Sequence, residues 1–134
     1  MTSLNWWVPK RTPTPSETQA LQFLWERGVA TVAELHADIC RTGQVGYTTV
    51  LKRVQRMEEK GLVQRDGTRG RAHAYRATGQ PEKTRSTLVN RLIANAFDNS
   101  PNALIQHAID DHDLSAQDIA DIRALLDRIE AEKP

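Results

Sequence analysis

Tyr47–Tyr75, YTTVLKRVQRMEEKGLVQRDGTRGRAHAY, is the stretch whose reading decides the fold. Val50, Leu51, Val54 and Met57 recur at three- and four-residue steps and predict an apolar helix face. Thr48, Thr49, Lys52, Arg53, Gln55 and Arg56 fall mostly on the other side, where they can enter a groove. Lys60 suits the last turn, and Gly61 can take the left-handed conformation that ends a helix. Leu62-Val63-Gln64-Arg65 then reads as a short strand, Asp66–Arg71 as a reversal with Arg69 and Arg71 at its tip, and Ala72–Arg76 as the returning strand. A groove-sized helix running into a basic hairpin is the pattern of a DNA-reading helix and its wing. The competing reading, two adjacent solvated surfaces, leaves their joining in one short unit unexplained.

The preceding residues supply the braces such a helix needs. Residues 1–15 read as an N-terminal extension: Trp6, Trp7, Lys10, Arg11 and three prolines predict an extended arm whose Trp pair docks on the core or a partner subunit and whose Lys10 and Arg11 reach phosphate, with a frayed tail as the equal alternative. Ser16 and Gln19 predict a reciprocal cap for a first helix that turns Ala20, Leu21, Leu24 and Trp25 inward and ends at Gly28. Val29 and Ala30 predict a short strand. Thr31-Val32-Ala33-Glu34 opens a second helix with a capping box and buries Val32, Leu35 and Ile39. Through the loop Thr42–Gly46 the order becomes helix, helix, helix, strand, wing, strand over residues 16–78. The expectation is a mainly α fold with a small β-hairpin, a winged helix-turn-helix.

In that geometry Thr48, Thr49 and Lys52 are placed for base edges, since threonine offers a hydroxyl and a methyl and lysine reaches guanine acceptors. Arg53 and Arg56 suit phosphates, and Arg69 and Arg71 suit the backbone or a neighbouring minor groove. N-terminal capping is the alternative role for Thr48 and Thr49.

Residues 81–132 read as a helical dimerisation region. Leu88, Val89, Leu92, Ile93, Ala96 and Phe97 make one apolar stripe. After Ser100-Pro101, a second follows through Leu104, Ile105, Ala108 and Ile109. A third helix, capped by Ser115 with Asp118, bears Ile119, Ile122, Leu125, Leu126 and Ile129. The alternative is a helical subdomain that packs on its own winged helix without a partner.

A chain of 134 residues with 39% hydrophobic content fills one modest core plus an appendage. Its net charge of +1 hides an asymmetry: residues 1–80 hold 12 Lys and Arg against 7 Asp and Glu, residues 81–134 hold 6 against 10. The basic half carries the helix and wing; the acidic half is a poor partner for phosphate. Cys40 is the sole cysteine, no signal-like start is evident and no apolar run is long enough to span a membrane. A soluble cytoplasmic protein without membrane insertion is expected.

No phosphate-cradling glycine loop or oriented nucleophile appears, so no enzyme, cofactor or metal is expected. His36 and Cys40 have the one-turn spacing of a metal pair or a redox sensor but lack a closing ligand set. The other reading makes Cys40 a small semi-buried apolar residue. His107 and His112, beside Asp110, Asp111 and Asp113, read as a solvated helix end.

Tyr47-Thr48-Thr49-Val50, Arg56-Met57-Glu58-Glu59-Lys60-Gly61-Leu62-Val63 and Gly70-Arg71-Ala72-His73-Ala74-Tyr75 resemble the signature of the penicillinase repressor (BlaI/MecI) family. Glu17, Leu21, Leu24 and Trp25 are similar to its first helix, and Asp113–Ile119 to the start of its last. The resemblance implies a homodimeric transcriptional repressor on double-stranded, dyad-symmetric operator DNA, with antibiotic (β-lactam) resistance genes as targets and a regulatory protease under a membrane sensor ending repression. Where the family's cleaved Asn-Phe bond aligns, this chain has His107-Ala108, and it lacks the cysteine-rich motif of the copper-responsive branch. Two recognition helices in successive major grooves would exclude polymerase from an overlapping promoter. The competing classes are a winged-helix protein-interaction module and a DNA-binding activator or architectural factor.

Overall fold

The computed structural model describes residues 12–134. The readings of Trp6, Trp7, Lys10 and Arg11 lie outside them. The chain divides into two compact units, one ending at Leu88 and the other running from Val89 to Pro134.

The first unit opens with α1 (Pro15–Arg27), which begins one residue before the expected start. Its cap is not Ser16 with Gln19. Thr14 accepts from the Glu17 amide and Glu17 reaches back to the Thr14 amide, because Pro15, lacking an N–H, fits the first helical position and places the reciprocal pair three residues apart. Gly28, at φ 82°, ends the helix as expected. A short β1 (Ala30–Thr31) leads into α2 (Val32–Cys40), where Thr31 and Glu34 form the predicted capping box.

Next comes α3 (Tyr47–Glu59), the helix of the opening stretch. Gly61, at φ 80°, closes it with a Schellman motif in which its amide bonds Glu58 O at 3.0 Å and that of Leu62 bonds Met57 O at 2.8 Å.

The hairpin of β2 (Val63–Arg69) and β3 (Ala72–Ala77) is longer than the sequence suggests. Asp66 and Gly67 do not belong to the reversal: together they face one residue of β3, a bulge at which Gly67 supplies φ 76°. Pairing resumes at Thr68↔His73 and Arg69↔Ala72, so only Gly70 and Arg71 make the turn, with Gly70 at φ 61°. The antiparallel sheet has the order β1-β3-β2, with Ala30 opposite Tyr75.

These elements close a core. Leu24, Leu35, Ile39, Val50, Val54 and Met57 are at most 1% exposed, with Ala20, Leu21, Val32, Val63 and Tyr75 packed among them and Trp25 and Leu51 at its margin. The apolar face of α3 is thereby spent inward, which fixes which side of the helix meets solvent. One ion pair is built into the core: Glu17, 2% exposed, takes the Lys60 ammonium at 2.7 Å and ties the start of α1 to the end of α3.

Beyond the sheet run α4 (Pro81–Ala96), α5 (Pro101–Asp111) and α6 (Ala116–Glu132). The turn after α4 uses Asp98 and Asn99 at φ 51° and 61°, two residues whose short polar side chains tolerate the left-handed region. Ser100 caps α5 with Pro101 in its first turn, and Ser115 and Asp118 cap α6, as expected. None of these three helices has a buried residue. No helix among the described residues is long and apolar enough to cross a membrane.

Candidate nucleic-acid interface

Because Val50, Val54 and Met57 face the core, the opposite side of α3 projects Thr48, Thr49, Lys52 and Arg56 into solvent, and all four are exposed. Arg53, between the two faces, is half-buried, and its Nη1 is buried without a hydrogen-bond partner. Gly46 caps α3 with no side-chain bond, so Thr48 and Thr49 make no cap and their hydroxyls stay free of that duty.

Ion pairing sorts the remaining cations. Arg27 grips Asp38 through Nε at 2.5 Å and Nη2 at 2.8 Å, and Arg41 joins the same carboxylate at 2.9 Å. On the wing, Arg65 meets Glu58 at 3.3 Å and Arg76 meets Asp66 at 3.4 Å. Arg69 stands at the end of β2 rather than on the tip, because the strand continues past the bulge. Its guanidinium is held by both oxygens of Glu34 and lies 3.3 Å from Val29 O. Among the described residues of the winged helix, the basic side chains left without an ion-pair partner are Lys52, Arg53 and Arg56 on α3 and Arg71 on the turn. Within the winged helix, compensated charge lies elsewhere and uncompensated charge lies on the helix and the tip.

The carboxylates that do this sorting are tuned for it. Arg27 beside Asp38 holds that carboxyl below its ordinary value against the opposing effect of burial. The Thr31 amide, then Arg69 and Arg27, lower Glu34. Burial pushes Glu17 upward, but the Lys60 bond and the Thr14 amide together outweigh it and leave the group lowered. All three stay ionised at neutral pH.

Sequence spacing marks Glu34 as a helix cap only. It also anchors the wing from 35 positions away, and nothing local in the sequence signals that pairing. Tyr47, to which spacing assigns no role, opens α3 at 47% exposure with its ring edge-on to His36 at 5.7 Å. His36 Nε2 sits 2.8 Å from Val45 O and 3.3 Å from Cys40 Sγ, so this pair braces the loop before α3. Cys40 is exposed rather than semi-buried, since α2 ends there and its core-facing positions are Leu35 and Ile39. Among the described residues, no group of three or more His, Cys, Asp or Glu could hold a metal ion. His107 pairs with Asp111 at 3.0 Å and His112 Nδ1 lies 3.0 Å from Ala108 O, both at the surface.

The expected dimerisation residues are also located. Leu92, Ile105, Ile109, Leu126 and Ile129 are 40% to 54% exposed. Leu88, Ile93, Phe97, Leu104 and Ile122 are half-buried. Val89 and Leu125, in the stripes though not singled out, are 44% and 45% exposed.

The family profile described as penicillinase repressor matches residues 13–128. No curated protein matches the chain. Among solved structures, a mutant MarR from E. coli complexed with operator DNA is 18% identical with a TM-score of 0.53, over 94% of this chain and 81% of that one. Wild-type MarR from E. coli in its apo form gives the same identity and TM-score, over 94% and 84%. At such identity the likeness speaks to the fold.

Proposed function

The chain belongs to the penicillinase repressor family and is a winged-helix DNA-binding transcriptional regulator, and from that premise we propose that it works as a homodimer on a dyad-symmetric promoter operator. The observation that carries the reading is where uncompensated positive charge lies within the winged helix: Lys52, Arg53 and Arg56 along α3, and Arg71 on the turn. In the proposed complex α3 enters the major groove, Thr48, Thr49 and Lys52 read base edges, and Arg53 and Arg56 hold phosphates. The first-turn amides of α3, with no side-chain cap, add donors for a phosphate. Arg71 clasps the flank. Arg69 contributes through the wing's position, and its guanidinium reaches DNA only by exchanging Glu34 for a phosphate.

Dimerisation is supported by the apolar stripes of α4, α5 and α6, whose Val89, Leu92, Ile105, Ile109, Leu126 and Ile129 stay exposed. Two linked half-sites raise avidity by about 10²–10⁴ over one. Bound dimer then excludes polymerase by occupying overlapping promoter DNA, with genes of β-lactam resistance as the proposed targets. A regulatory protease remains a proposed partner. His107 and Ala108 lie inside α5, so cutting between them requires that helix to unwind locally.

The test compares operator, located by footprinting on the chain's own promoter fragments, with scrambled duplex. Lys52→Ala should cost about 1–3 kcal/mol on operator and relax discrimination. Arg71→Ala should weaken both duplexes alike and flatten the salt dependence. Equal losses on both duplexes for Lys52→Ala would remove it from base reading, and wild-type protein that ignores every fragment would remove the operator role.

A further inference from the structure

Two features stand outside the DNA reading: a cavity of about 330 Å³ in the first unit, and the adjacent Trp6 and Trp7 in the sequence that precedes the described residues. Native interiors leave few voids larger than a water molecule, so an opening of that size calls for an occupant. Leu21 and Trp25 of α1, with Leu62 and Ala77 at the root of the hairpin, give it apolar walls, and Thr84 and Thr87 of α4 close one side. Trp25, Leu62 and Ala77 pack against the core yet are only half-buried. The Thr84 hydroxyl, also half-buried, has no hydrogen-bond partner among the described residues.

The chain itself enters at this cavity. Thr12 and Pro13, the first two described residues, are buried and line it. Trp7 stands five residues before Thr12, and five residues of chain span at most about 18 Å, more than the width of a void of this volume. A side chain on so short a tether meets the cavity at an effective concentration on the order of millimolar, which no free partner at micromolar level matches. An indole also suits the walls. It brings a large apolar area and a single N–H donor, and a buried tryptophan needs an acceptor for that donor. Arg85 already lies over the Trp25 ring at 5.0 Å, which leaves the ring's edge and other face for an edge-to-face contact.

We propose that the cavity is the docking site of the chain's own Trp6-Trp7 segment, with the Trp7 indole among Leu21, Trp25 and Leu62 and its N–H donated to the Thr84 hydroxyl of the same protomer. Docked there, the segment ties α1, the hairpin root and the first turns of α4 together, at the end of the hairpin opposite Arg71. The docking does not rest on the operator reading.

Methyl and indole NMR on the full chain tests it. Nuclear Overhauser contacts should join the Trp7 indole to the Leu21, Leu62 and Thr87 methyls, and mixing labelled with unlabelled chains should keep them within one chain. Trp7→Ala should shift those methyl resonances and lower amide protection in the first turns of α4 about three- to tenfold. Thr84→Val, which keeps the shape and removes the acceptor, should move the Trp7 indole N–H resonance and leave the methyl contacts in place. Absence of the Trp7 contacts in the wild-type chain, or methyl resonances unmoved in Trp7→Ala, would overturn the proposal. Contacts that pass only between differently labelled chains would overturn it too, by giving the cavity to a second copy's first residues.

Discussion

The two units solve opposite problems with similar helices. Through Leu88 the chain buries Leu24, Leu35, Ile39, Val50, Val54 and Met57 to 1% exposure or less, around a sheet and an internal ion pair. From Val89 onward it leaves Ile105 and Leu126 more than half exposed, and α5 and α6 bury nothing. Both have capped helices, so local helix signals do not distinguish them. What differs is closure: in the first unit three helices and a sheet surround their apolar faces, whereas in the second each stripe still has a side open to water. Burying a leucine or isoleucine is worth about 1.5–3 kcal/mol, and exposed stripes of this length mark a surface awaiting a partner. A unit whose apolar faces are closed and a unit whose stripes stay partly open therefore share one chain, and the open one is the proposed seat of dimerisation.

The largest way to break this contrast is to charge the open face. Leu126→Asp should dissociate the dimer and reduce operator affinity by about 10²–10⁴ while leaving the winged helix folded, measured by light scattering and operator titration. A dimer that survives it moves the interface elsewhere. In the closed unit, truncation should act on folding instead: Leu35→Ala should cost about 2–5 kcal/mol in chemical denaturation. Leu126→Ala, on an exposed side chain, should cost the isolated protomer far less. Similar losses from the two would erase the distinction.

Acid sharpens the comparison further. Glu17, Glu34 and Asp38 all titrate below their ordinary values and all lie in the first unit. A carboxylate lowered by folding contributes stability that is present above its unfolded value, about 4, and is lost as pH falls through the lower folded value. Denaturation midpoints of the first unit should therefore fall steadily below about pH 4, and Lys60→Met should shallow that slope by removing the partner that lowers Glu17. A slope unchanged in Lys60→Met would show that the pair does not couple to folding.

The smallest effect concerns the wing. Removing an acid beside a DNA-binding surface should strengthen binding by simple electrostatics, yet Glu34 holds Arg69 and with it the hairpin. Glu34→Gln keeps a capping side chain at the third helical position and should weaken operator binding about two- to fivefold. Tighter binding would mean that Glu34 acts only as a nearby negative charge.

Much of this fold is legible in the residues because it rests on local rules. The Thr31–Glu34 box, the Gly61 terminus, the Ser100 and Ser115 caps and the α3 apolar face follow from spacing alone. The start of the first helix is ambiguous in sequence because two capping patterns overlap at Thr14 and Ser16, and Pro15 favours the earlier one. The wing turn reads too wide because Asp66-Gly67 is an equally good hairpin signal, and only pairing across the sheet shows it to be a bulge. At the candidate interface, side-chain type marks Lys52, Arg53, Arg56 and Arg71 as cations, and the fold leaves these four without an ion-pair partner. Arg69 and Arg71 look equivalent in sequence, and only the fold brings Glu34 to one of them.

In the proposed dimer a second copy of this chain covers the open apolar faces of the C-terminal unit. Sedimentation equilibrium on the 134-residue chain at micromolar concentration should then give a particle of twice 15.1 kDa, about 30 kDa, that Leu126→Asp converts to the single-chain mass. A wild-type particle of 15.1 kDa under those conditions would rule the second copy out.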